Sequence, residues 1–171
     1  MRARSCGFSM MEVLVAMLVI GTGALAIAML QLHALRSSQD SSLHARATLM
    51  AQELTELRAS LPPAPGASDP TLFSFTAERP PVAPADCESA ACNPSDFIQS
   101  ALADWNGRLV RDFPQARVIV CRDAQRTPQV DWTCDGQASS PVMLKLGWRR
   151  LGAASPSTSA AGPLLSLVLG H

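Results

Sequence analysis

The stretch RSCGFSMMEVLVAMLVI, Arg4 to Ile20, holds a single carboxylate, Glu12, at the mouth of an otherwise apolar run. A charged side chain near a bilayer centre costs roughly 2.5–3.5 kcal/mol on insertion scales. Four residues after Phe8, Glu12 stands only about 6 Å along a helix, shallow enough to reach the polar interface. Its charge also suits the positive end of the helix dipole. Such a group either snorkels to tolerate its place or uses that place to meet a cation.

The cysteines are the second set with chemistry to offer. There are five, Cys6, Cys87, Cys92, Cys121 and Cys134. In an oxidising compartment the last four are expected to form disulfides. Cys121–Cys134 is favoured as a bridge between two adjacent strands, and Cys87–Cys92 as the closure of a small loop. The spacings C-x4-C and C-x12-C suit zinc poorly and no histidine is near in sequence, so no metal is expected. A lipid anchor on Cys6 is rejected, because Arg-Ala-Arg-Ser precedes it instead of an apolar segment.

Catalytic patterns are missing from the sequence. His44 falls in a helical stretch, His171 ends the chain, and G-x-S-x-G, H-E-x-x-H and P-loop patterns do not occur. Gly21-Thr-Gly23 is an incomplete dinucleotide fingerprint inside an apolar helix, better read as a packing or flexibility element. Trp105, Trp132 and Trp148 each keep the local apolar period and read as core or sheet-face residues, with a ligand-binding aromatic face as the alternative. The expectation is a protein that is not an enzyme and uses no cofactor. Acids and bases balance at 14 each, which gives no electrostatic reason to expect nucleic acid.

These residues depend on the elements that carry them. From Val13 to Leu35 no residue is charged, about 23 positions and roughly 34 Å as a helix, enough to cross a hydrocarbon core. Arg2 and Arg4 precede it, so the positive-inside rule leaves the amino terminus in the cytoplasm and exports the chain beyond Arg36. A cleaved secretory signal is the competing reading, with small-x-small sites at Ala24–Ala26 and Ala26–Ala28. Glu12, between the basic and apolar regions, argues against it.

Beyond the apolar segment, Leu43, Ala47, Met50, Leu54, Leu57 and Leu61 recur at spacings of four and three, a narrow apolar stripe on one helix face. No proline or glycine interrupts Ala24 to Leu61, and Pro62-Pro63 then ends the pattern. The reading is one helix from about Phe8 to Leu61, roughly 80 Å long at 1.5 Å per residue. All 13 prolines lie outside the first sixty residues, and 62–93 reads as a Pro-rich surface loop in which only Leu72–Phe75 offers a short strand.

A second helix is signalled by Asn93 as cap, Pro94 in the first turn and Asp96 at the dipole. Phe97, Ile98, Ala101, Leu102, Trp105 and Leu109 would share its apolar face, with Gly107 a weak point and Pro114 the stop. After Pro114 the period becomes two. Ala116–Cys121, Val130–Cys134 and Val142–Arg149 read as strands, the last with Val142, Leu144, Leu146 and Trp148 inward and Met143, Lys145, Gly147 and Arg149 on the other face. LLSLVLG is a fourth apolar run of unclear facing. The fold class is therefore α+β: a long amino-terminal helix whose stripe covers a small antiparallel sheet, with a second short helix.

GFSMMEVLVAMLVI resembles the class III signal of type IV prepilins and type II secretion pseudopilins: a short basic leader, glycine, phenylalanine, glutamate fifth after the cut, then an apolar helix. The resemblance implies a pilin fold and cleavage by a prepilin peptidase between Gly7 and Phe8, with methylation of the new Phe8 amine. It implies further that Glu12 pairs with the amine of a neighbouring subunit during assembly. Cleavage would remove Cys6, leaving four cysteines, and would bring the net charge to about −2 by deleting Arg2 and Arg4.

Met10 stands where the family often has leucine or isoleucine, and the helix-breaking proline of many major pilins is missing, leaving Gly21 and Gly23 for any kink. The run to Ala59, with Gln31 to Arg36 and Met50 to Ala59, together with SALADWNGRLVRDFPQARV and VMLKLGWRR, is similar to PilV-type minor pilins. The implied division is a leader at 1–7, a transmembrane and assembly helix at 8–35, an amphipathic helical half at 36–61, the loop at 62–93 and the periplasmic helix and sheet at 94–171.

Implied partners are the peptidase, other minor pilins, the major pilin, the inner-membrane assembly platform and membrane lipid. The implied location is the bacterial inner membrane or the pilus. A minor pseudopilin of a type II secretion system and an anchored periplasmic binding protein are the alternatives.

Overall fold

A computed structural model describes Gly7 and residues 9–60, 68–77, 87, 91–124, 131–149 and 162–170. Ser9 opens the first helix. Its hydroxyl accepts from the Met11 N–H at 3.3 Å, and its carbonyl accepts from the Glu12 N–H at 3.0 Å. Helix α1 then runs Met10–Ser60 without a break through Gly21 and Gly23. Between those glycines the Thr22 hydroxyl donates back to the Leu18 and Val19 carbonyls at 3.0 and 3.1 Å. That internal bond leaves no polar group on the surface needing water.

The chain divides into two compact units, Met1–Ser41 and Ser42–His171, and α1 contributes to both. In the first unit every described residue up to Gln39 is exposed. The helix is the one element among the described residues long and apolar enough to cross a membrane.

The second unit is built around a four-stranded antiparallel sheet. Its strands are β1 (Phe73–Thr76), β2 (Arg117–Arg122), β3 (Val142–Gly147) and β4 (Leu165–Gly170), in spatial order β1-β2-β3-β4. Helix α2 (Pro94–Asp112) starts as its signals require: Asn93 accepts from the Asp96 N–H at 2.8 Å, with Pro94 in the first turn. It continues through Gly107 to Asp112. One core joins Ala47, Met50, Ala51 and Leu54 of α1 to Ile98, Leu102, Trp105 and Leu109 of α2 and to Val118, Val120, Val142, Leu144 and Leu146 of the sheet. Leu43 and Leu57 are partly buried against it, and Leu61 lies outside the described residues. Leu169 completes the core from β4 while Val168 faces away, which resolves the facing of that run.

Polar ties fix the helices to this core. The Trp105 indole N–H donates to the Met50 carbonyl at 3.0 Å, anchoring α2 on α1. Arg108 pairs with Glu53, its Nη1 2.9 Å from Oε2. Arg58, near the end of α1, donates to Asp69 at 2.8 Å and also to Thr71, holding the approach to β1.

The structure corrects four expectations. The strand expected at Val130–Cys134 is not formed: Val130 lies outside the described residues, and 131–134 is irregular. Strand β2 pairs directly with β3 where that strand was expected, Val120 opposite Leu144. On its other edge β2 carries β1, the short strand that Leu72–Phe75 offered, with Phe73 opposite Val120 and Phe75 opposite Val118. Cys134 is therefore not a strand residue. Phe97 is not on the buried face of α2; it is 49% exposed, and Asn106 is buried instead.

Strand β3, last, has no solvent face: all six of its residues are buried. Alternation of apolar and polar residues normally marks a half-exposed strand. Here a second layer of chain covers the face that carries Lys145.

Candidate functional site

Two regions carry the residues singled out by sequence. At the start of α1, Gly7 is exposed with open space around it, Phe8 lies outside the described residues, and Glu12 stands in the first helical turn. Met10, Met11, Val13, Leu14 and Val15 surround Glu12 with exposed apolar surface. None of the ion pairs among the described residues involves it. The arrangement is a carboxylate on an apolar helix end, near the dipole's positive pole.

The second region is the outer face of the sheet. Lys145, opposite Ile119 in the β2–β3 ladder, is 0% exposed, and so is Asp123. The lysine ammonium donates to the Asp123 carboxylate and to the Thr133 carbonyl. The segment covering them is held by the bridge between Cys121 and Cys134, whose Cα atoms are 6.3 Å apart. Cys87 and Cys92 form the other bridged pair, 5.5 Å between Cα atoms. Trp132 lies against Gly147 so closely that a Cβ there would come within 2.9 Å of the ring. The Arg117 guanidinium stacks 4.3 Å from the ring centroid of Trp132. Trp105 and Trp148 are core residues, so the three tryptophans do not form one aromatic face.

Carboxylates outside the helix organise the turns. Burial pushes the Asp69 carboxyl up, but hydrogen bonds from Thr71 and Arg58 outweigh it and hold the group below its ordinary value. Asp131 is lowered chiefly by the Thr133 hydroxyl. Asp135 is lowered chiefly by the backbone N–H groups of Gln137 and Ala124, then by Ser140. These are Asx-type turn contacts, not a ligand set. Among the described residues no cluster of three or more histidine, cysteine or acidic side chains could hold a metal.

The Lys145–Asp123 pair escaped the sequence reading. Its one signal was that the chain's single lysine lies inside an apolar strand. Isolated charges in such runs are buried only when paired.

No curated protein and no solved structure matches the chain. Residues 2–28 match a family model described as the prokaryotic N-terminal methylation motif. The match covers Gly7, Phe8, Glu12 and the apolar run after them, and it stops before the second unit. The amino terminus is thus prepilin-like, of the kind found in type IV pilins and pseudopilins.

Proposed function

We propose that the chain is a minor pilin: a non-enzymatic subunit that primes or modifies a type IV pilus after a prepilin peptidase cuts between Gly7 and Phe8. The observation that carries this reading is the methylation motif of residues 2–28 leading into an exposed apolar helix with Glu12 in its first turn. Cleavage creates an amine at Phe8 that the precursor lacks. In a bundle of such helices, the amine of one subunit neutralises Glu12 of the next, and an apolar surround strengthens that attraction.

The apolar helix holds the chain in the inner membrane with its amino terminus cytoplasmic, as Arg2 and Arg4 favour. The second unit then lies in the periplasm, where oxidation closes the two cysteine pairs.

The test is co-purification of the membrane-embedded chain with its neighbours. Wild type should bring down other minor pilins and the assembly platform. Glu12→Gln should insert into the membrane equally well but lose those partners. Unchanged recovery of partners would refute the ion-pair role, and recovery of secretion-system subunits instead would make the chain a pseudopilin.

A further inference from the structure

We infer that residues 131–140 form a redox-held strap. Closed by Cys121–Cys134, it seals Lys145 from water; with that bond open, Lys145 and Asp123 become accessible while the helix–sheet core stays folded.

Lys145 stands on the outer face of the sheet. It projects from the middle of β3 on the face away from the helices, and both it and Asp123 are fully buried. Yet Thr133, whose carbonyl accepts from the ammonium, is an exposed residue, and so is Cys134 beside it. None of residues 131–140 belongs to the hydrophobic core, which lies wholly on the other face. The strap can therefore lift without opening that core.

Among the described residues, the contacts that hold the strap are mostly exchangeable with water. Asp135 accepts from Ala124 N–H at 2.8 Å, Gln137 N–H at 2.9 Å and the Ser140 hydroxyl at 2.8 Å. The Gly136 N–H donates to the Arg122 carbonyl at 3.0 Å, and Trp132 lies between Arg117 and Gly147. Apart from the chain itself, the bond between Cys121 and Cys134 is the one covalent tie across this face among the described residues. Against these contacts stands the hydration that a buried ammonium and carboxylate recover when exposed. Removing the bridge also releases the closed loop's entropy restraint. Opening thus costs less once the bond is reduced than while it is closed.

The full chain in detergent micelles provides the test, because its one lysine makes an amine reagent a direct reporter. N-acetoxysuccinimide is applied before and after phosphine reduction, and Lys145 acetylation is followed by peptide mass spectrometry. Backbone amide exchange of β2 and β3 is followed in parallel. Reduction should speed Lys145 labelling by about tenfold or more while the β2 and β3 amides stay protected. The C121A/C134A variant should label like reduced protein, and C87A/C92A like oxidised protein. Equal Lys145 rates in oxidised and reduced wild type would overturn the inference. So would labelling that appears only with loss of β2 and β3 protection, or a free thiol at Cys121 or Cys134 in the oxidised chain. Should C121A/C134A fail to fold, the wild-type pair with its exchange control still decides.

Discussion

Leu18 and Leu54 belong to the same helix, α1, yet the first is 66% exposed and the second 0%. In the first unit the helix shows apolar side chains on every face, a surface stable only in lipid or among other apolar helices. In the second unit the helix shows a stripe, Ala47, Met50, Ala51 and Leu54, that the chain buries for itself. One stretch is incomplete without an outside partner and the other is complete within the fold. The methylation motif lies in the incomplete part and the specific architecture in the complete one.

Breaking the buried ion pair should have the largest effect on the second unit. Asp123→Ala leaves the Lys145 ammonium buried without its carboxylate, a loss of about 3–5 kcal/mol. An apolar double replacement, D123L/K145M, should recover much of that loss. Urea unfolding of the full chain in micelles, followed by tryptophan fluorescence, measures both.

The same substitution in the two regions sharpens the contrast further. Leu54→Ala should destabilise the second unit by about 2–5 kcal/mol through a core cavity. Leu18→Ala should leave that unit's unfolding midpoint unchanged.

Acid should act more gently on the second unit. Asp69 has a folded pKa below its ordinary 3.8. Folding therefore favours the ionised form, and the stabilisation is present above that value. It is lost as pH falls below 3.8 through the lower folded pKa. Asp69→Asn should flatten the loss of stability in that acid range, as read by thermal unfolding across pH. The smallest change is a gain. At Gly107 a Cβ would meet only Arg111 Nη1, at 3.9 Å, so Gly107→Ala in α2 should stabilise by about 0.5–1 kcal/mol.

The parts legible in the sequence were those with local causes. Asn93-Pro94-Ser95-Asp96 sets the start of α2 through its own side chains, and the stripe of α1 follows from helical spacing. That FSFT pairs with β2 while VDWTC pairs with no strand was not local, since both alternate. Register against Val118 and Val120 favours Phe73 and Phe75, a contact made across more than forty residues. Lys145 misled for a related reason: its charge marked a water-facing side until a distant segment covered that side. Gly7 and Glu12 were legible as a spacing: among the described residues nothing crowds Gly7 and no ion pair holds Glu12.

The central claim is that this chain is processed as a prepilin, and the mass of the mature protein tests it most directly. Intact-mass analysis with amino-terminal sequencing of membrane-extracted protein should find a chain beginning at Phe8 and carrying one methyl group on its amine. A chain that retains Met1, or one that begins near Gln31, would contradict the account.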